Sequence, residues 1–182
     1  MELTDAELAR VRGKLGPKRD YLHASMVDER LEPLREHLGL SKKELKKMVL
    51  SLPAALNYNH DNLVKEKLEP LQQYLGLTDA ELKKIVLGQP STLGLNHDNL
   101  VTKLALYKKL LAKTDEGLKQ AVLTDPVCLG YGQKVEEKWE LMSSGFAWGP
   151  DEQQSMHLRM LGVGKERLEE RLGELEALLG EK

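Results

Sequence analysis

Apolar residues recur along this chain at spacings of four, three and four. The sets are Val27/Leu31/Leu34/Leu38, Val64/Leu68/Leu71/Leu75, Leu100/Leu104/Tyr107/Leu111, Val135/Trp139/Met142/Phe146 and Leu168/Leu172/Leu175/Leu179. Each set draws one stripe down an amphipathic helix. A small residue follows each stripe at once: Gly39, Gly76, Ala112, Ala147 and Gly180. Glycine just past a helix is the usual left-handed stop.

A second helix starts in the next block. Ser41 and Thr78 stand at the N-cap with Glu44 and Glu81 three residues on, a capping box already present at Thr4 and Glu7. Thr114 keeps the cap, but Gly117 replaces the glutamate. The second helix runs to Pro17, Pro53, Pro90 or Pro126, and proline there ends the helix or opens a tight turn. A short apolar stretch follows, such as Ala55-Leu56 or Thr92-Leu93, and Asn59 and Asn96 cap the next long helix. The units run roughly 3–39, 40–76, 77–112, 113–147 and 148–182. One unit alone cannot bury its stripe, so neighbours must stack around a continuous core. The pattern predicts an all-α, tandem helical-repeat solenoid of about five units of 33–37 residues, forming one domain over 1–182.

Composition agrees with helices and narrows the chemistry. Aromatic residues are 4% of the chain, and Leu, Lys and Glu are abundant, which favours helix over sheet. The single cysteine, Cys128, excludes an internal disulfide and a Cys-based zinc site. No apolar run approaches the length of a membrane span, and Met1 to Leu8 resembles neither a signal peptide nor a transit peptide. Net charge is −2, so whole-chain charge names no partner. Its distribution is uneven: units 40–76 and 77–112 each carry +2, and the last two carry −2 and −3.

The repeated block itself resembles a known motif. A long helix ending Leu-x-x-Leu-x-x-x-Leu-Gly-Leu-Ser/Thr, then x-x-Glu-Leu-x-x-x-Val, then Pro and Leu, is similar to the motif of the mTERF (mitochondrial transcription termination factor) family. Residues 31–56 and 68–93 carry it best, and 104–129 carry it with departures at Ala112, Lys113 and Gly117. The resemblance implies a left-handed superhelix with two α-helices and a short 3₁₀ segment per unit. It implies a mitochondrial or plastid protein that binds double-stranded DNA or RNA along a concave basic surface. The roles it implies are transcription termination, other regulation of organelle gene expression, and ribosome assembly.

The basic residues are the candidate site. Aligning the capping boxes stacks Arg10, Lys47 and Lys84 at one repeat position, and Lys46, Lys83 and Lys119 at the neighbouring one. Equivalent positions of stacked repeats form a ladder, and a ladder of cations can follow a phosphate backbone. Lysine after Glu-Leu on an amphipathic helix equally fits a solvated outer face. The acidic C-terminal units fit a protein partner instead, as in a structural subunit of a large organelle assembly such as a ribosome.

Other motifs have plainer readings. His60-Asp61 and His97-Asp98 fall in a first helical turn, where Asp complements the dipole, and no acidic pair or Cys cluster completes a metal site. Gly162-Val-Gly164-Lys165 lacks the spacing and hydroxyl of a phosphate loop and reads as the turn before the last helix. Cys128 reads as a buried structural thiol, Trp139 and Phe146 as core, and Trp148 as a contact residue outside the stripe. No nucleophile–base or carboxylate pair recurs in register, so no enzyme, cofactor or small-molecule substrate is expected.

Overall fold

The computed structural model describes residues 3–16, 22–111, 113–132, 135–145 and 161–180, without the side chains of 60, 61, 144, 145, 175, 176 and 178–180. All regular structure among these residues is helical. Pro17, Ala112, Phe146, Ala147 and Trp148 lie outside the described residues, as do the side chains of Leu175 and Leu179. The chain forms two compact units, 1–101 and 102–182.

The first unit contains α1 (Asp5–Leu15), α2 (Ala24–His37), α3 (Lys42–Ser51), a 3₁₀ turn (Pro53–Asn57), α4 (His60–Leu63), a π-helical turn (Val64–Leu68), α5 (Glu69–Leu75), α6 (Asp79–Gly88) and a 3₁₀ turn (Pro90–Gly94). Helix α7 (His97–Leu110) contributes its first residues to this unit and the rest to the second. The second unit continues with α8 (Asp115–Thr124), a 3₁₀ turn (Pro126–Gly130), α9 (Val135–Gly145) and α10 (Lys165–Gly180).

The local signals act as their chemistry dictates. Thr4, Ser41 and Thr78 each accept from the backbone N–H three residues on, and the carboxylates of Glu7, Glu44 and Glu81 in turn accept from the cap N–H. Thr114 accepts from the Gly117 N–H alone. The Asn59 and Asn96 side chains accept from the N–H groups of Asn62 and Asn99 at 3.2 and 3.1 Å. Pro53, Pro90 and Pro126 each open a 3₁₀ turn, where the missing N–H costs nothing. Gly39 and Gly76 take left-handed φ values of 57° and 59°, which end α2 and α5.

The stripes form the core, with one shift. Val27, Leu31, Leu34, Leu38, Leu68, Leu71, Leu75, Leu100, Leu104, Tyr107, Leu111, Val135, Trp139, Met142, Leu168 and Leu172 are all buried. Val64 is only half-buried, and Leu63 is buried in its place. Leu63 and Leu68 stand five residues apart, whereas their counterparts Leu100 and Leu104 stand four apart. The π turn absorbs that extra residue: the Glu69 N–H donates to the Val64 carbonyl, five residues back. The stripe thereby keeps one face across an insertion.

Candidate nucleic-acid interface

The capping boxes fix where the cations stand, because each sets the start of a second helix. Lys46 and Lys83 are part of the packing between consecutive second helices. The Lys46 ammonium lies 2.8 Å from the Glu7 carboxylate, and that of Lys83 lies 2.9 Å from Glu44. Lys83 also donates to the Gly39 carbonyl at 2.8 Å, at the C-terminal end of α2. Both lysines are half-buried. Lys119, at the equivalent repeat position on α8 in the second unit, is half-buried and takes part in an interaction of its own.

The electrostatic effect falls on the acids. The Lys46 ammonium, with the Thr4 N–H, pulls the Glu7 carboxyl down to about 2. The Ser41 N–H, with the Lys83 ammonium, does the same to Glu44. Each capping glutamate therefore stabilises two things: the start of its own helix and the contact with the next.

Arg10, Lys47 and Lys84 differ from this row. All three are exposed, and none makes an ion pair or side-chain hydrogen bond to another described residue. They sit on α1, α3 and α6 at 37-residue intervals. Lys14, one turn after Arg10, and Lys43, one turn before Lys47, are exposed on the same helix faces. The equivalent position on α8 is Gln120, flanked by exposed Asp115 and Glu116. The exposed faces of α2, the π turn and α5 carry Glu29, Glu36, Glu66 and Glu69 against Lys65. Among the described residues of 1–101, the exposed Lys and Arg side chains thus lie on the second helices, Lys65 apart.

The mTERF family profile matches residues 19–152, roughly three quarters of the chain. The chain belongs to the mTERF family. No curated protein is significantly similar to it. Each part of the mTERF motif has a physical role in this chain: its leucines are the buried stripe, its glycine is the left-handed stop at Gly39 and Gly76, and its Ser/Thr-x-x-Glu is the capping box. The motif's Glu44 also receives the next repeat's lysine.

A second set of cations in this mTERF chain does not stand out in the sequence. Arg30 donates to the Leu56 carbonyl at 3.3 Å, Lys67 to Leu93 at 3.2 Å, Lys103 to Leu129 at 2.8 Å and Lys138 to Leu161 at 3.0 Å. Lys103 also donates to the Tyr131 carbonyl. The first three bonds reach 26 residues along the chain, from a long helix to the end of a 3₁₀ turn. Each cation directly precedes a stripe residue: Leu31, Leu68, Leu104 and Trp139. That fixed offset is the one signal of them in the sequence. Burial lowers the Lys103 pKa and pushes the Cys128 thiol up to about 12, which leaves that thiol protonated and inert.

Lys165 pairs with Glu137 at 3.4 Å. Among the described residues, no group of three or more His, Cys, Asp or Glu could hold a metal ion, and no helix is long and apolar enough to cross a membrane.

Proposed function

We propose that this chain binds double-stranded nucleic acid and acts in organelle gene expression, in a mitochondrion or plastid, through transcription termination or regulation or through ribosome assembly. Membership of the mTERF family supports the class of activity. The observation that carries the reading is the column Arg10, Lys47 and Lys84: three exposed cations without partners among the described residues, one per repeat. The reading takes the chain as one domain, a solenoid of about five repeats. The 37-residue recurrence of capping boxes and the Lys46–Glu7 and Lys83–Glu44 contacts support that architecture. Lys46, Lys83 and Lys119 belong to the same ladder.

A protein partner is the second reading, favoured by the exposed acids Glu136, Glu137 and Glu140 on α9 and Glu166, Glu169, Glu170 and Glu174 on α10. It makes the chain a structural subunit of a larger organelle assembly. A gel-shift series with duplex DNA and duplex RNA at several salt concentrations tests the first reading. Binding that weakens steeply with salt is expected, because phosphate contacts release counterions. No shift at micromolar protein and low salt would overturn it in favour of the protein partner.

A further inference from the structure

We propose that the two adjacent cation rows of the ladder do different work. Arg10, Lys47 and Lys84, extended by Lys14 and Lys43, touch the phosphodiester backbone of a duplex. Lys46 and Lys83 hold consecutive repeats together and leave nucleic acid alone. This rests on the nucleic-acid reading and deepens it.

Two neighbouring lysines on one helix differ in what surrounds them. Lys46 and Lys83 each face a capping carboxylate within 2.9 Å. A phosphate that recruited either one would strip Glu7 or Glu44 of its counter-charge. The carboxylate left behind is held ionised by its own cap bonds, at 2.8 Å from the Thr4 and Ser41 N–H groups, and would repel the incoming phosphate. Lys47 and Lys84 are one residue on, which turns them about 100° around the helix, out of the seam and into solvent. A phosphate reaching them displaces only water.

The geometry also bounds the footprint. Packed helices lie about 8–10 Å apart, so α1 to α6 carries the row over roughly 20 Å, or about six base pairs at 3.4 Å rise. Ion pairs join α1 to α3 and α3 to α6 directly, so the three helices are successive rungs. The row over α1, α3 and α6 contains no aromatic side chain and no Asn or Gln, so it holds a backbone and reads no bases. Acids on the exposed long-helix faces exclude the same ligand there.

The test compares two double variants of the full chain, Lys47→Gln/Lys84→Gln and Lys46→Gln/Lys83→Gln. Binding to a short mixed-sequence duplex, made as DNA and as RNA, is titrated across salt, and each variant is melted. Five phosphate contacts give the parent a slope of log K against log salt of about −4.5 on DNA. The first variant should lose about 1.8 of that slope and melt like the parent. The second should melt lower and keep the parental slope at a temperature where it is folded. If the parent binds but the first variant keeps its full slope, the division of labour is wrong and the nucleic-acid reading stands. The division is equally wrong if the second variant loses slope while still folded. If the parent binds neither duplex, both fall. Binding to only one duplex identifies the nucleic acid, and the same slope criteria on that duplex then uphold or overturn the division.

Discussion

The Lys83 ammonium lies 2.9 Å from the Glu44 carboxylate, 39 residues earlier in the chain, and that carboxylate already closes the capping box of its own helix. One side chain therefore couples a local event, helix initiation, to a non-local one, the docking of the next repeat. Lys46 and Glu7 repeat the arrangement.

That coupling sets a pH dependence. Glu7 and Glu44 are pulled from 4.5 to about 2 in the folded chain. A carboxylate with a depressed folded pKa stabilises the fold fully above its unfolded value, and the contribution is lost as pH falls through the folded value. Melting temperature should thus be flat above about pH 5 and fall toward pH 2. The Glu44 carboxyl, followed by NMR, should titrate near 2 in the parent and higher in Lys83→Gln, whose Ser41 cap bonds remain. An unchanged titration in the variant would mean the ammonium contributes nothing.

The π turn makes a prediction about length. Deleting Glu66, which is exposed, gives Leu63 and Leu68 the four-residue spacing of Leu100 and Leu104. The turn should relax to α-helix with the stripe intact, and the variant should melt no lower than the parent. Deleting Thr102 from α7 instead throws Leu104 and Tyr107 off the buried face and should cost several times more. Thermal melts of the two deletions decide it.

Gly162 is the glycine of this region that packing requires. A Cβ there would come within 2.6–2.7 Å of the Tyr131 ring. Tyr131 cannot easily step aside, since its hydroxyl donates to Asp125 at 2.9 Å and its carbonyl accepts from Lys103. Gly162→Ala should destabilise by about 1–3 kcal/mol, the usual cost of overpacking. Gly164→Ala, with open space around it, should cost less. Denaturant unfolding of both variants compares them.

Lys103→Met should cost about 1–3 kcal/mol, because it leaves the Leu129 and Tyr131 carbonyls without their charged donor. The same change at exposed Lys109 should stay within about 0.5 kcal/mol. Equal costs, measured by denaturant unfolding, would show that water replaces the ammonium at no loss.

Much of the fold is legible in the sequence because it rests on local rules. Capping boxes, proline-initiated 3₁₀ turns, glycine stops and buried stripes each depend on residues a few positions apart. Val64 departs from its expected burial because a strict four-three-four spacing assumes an unbroken α-helix, and nothing in Leu63-Val64-Lys65-Glu66-Lys67-Leu68 itself marks a π turn. Only comparison with Leu100 to Leu104 exposes the insertion. For the site, alignment brings Arg10, Lys47 and Lys84 to one position but cannot separate them from Lys46 and Lys83. The distinction depends on which side of the helix meets the preceding repeat, a tertiary fact. The cations at Arg30, Lys67, Lys103 and Lys138 are hard to see because their acceptors are main-chain atoms, which a sequence does not spell out.

Those four bonds have an evolutionary consequence. A contact between two side chains must drift in concert, since a change at one end strands the other. A cation that grips a carbonyl imposes no such demand: any residue supplies the acceptor, provided the backbone passes the same point. The acceptors Leu56, Leu93, Leu129 and Leu161 could mutate without breaking the bond, and the connecting segment could change length, as the 23-residue reach from Lys138 to Leu161 illustrates beside the 26 of the others. A module closed in this way can be duplicated and its copies left to diverge, each preserving its own shape while its outward-facing residues are free to take up new tasks.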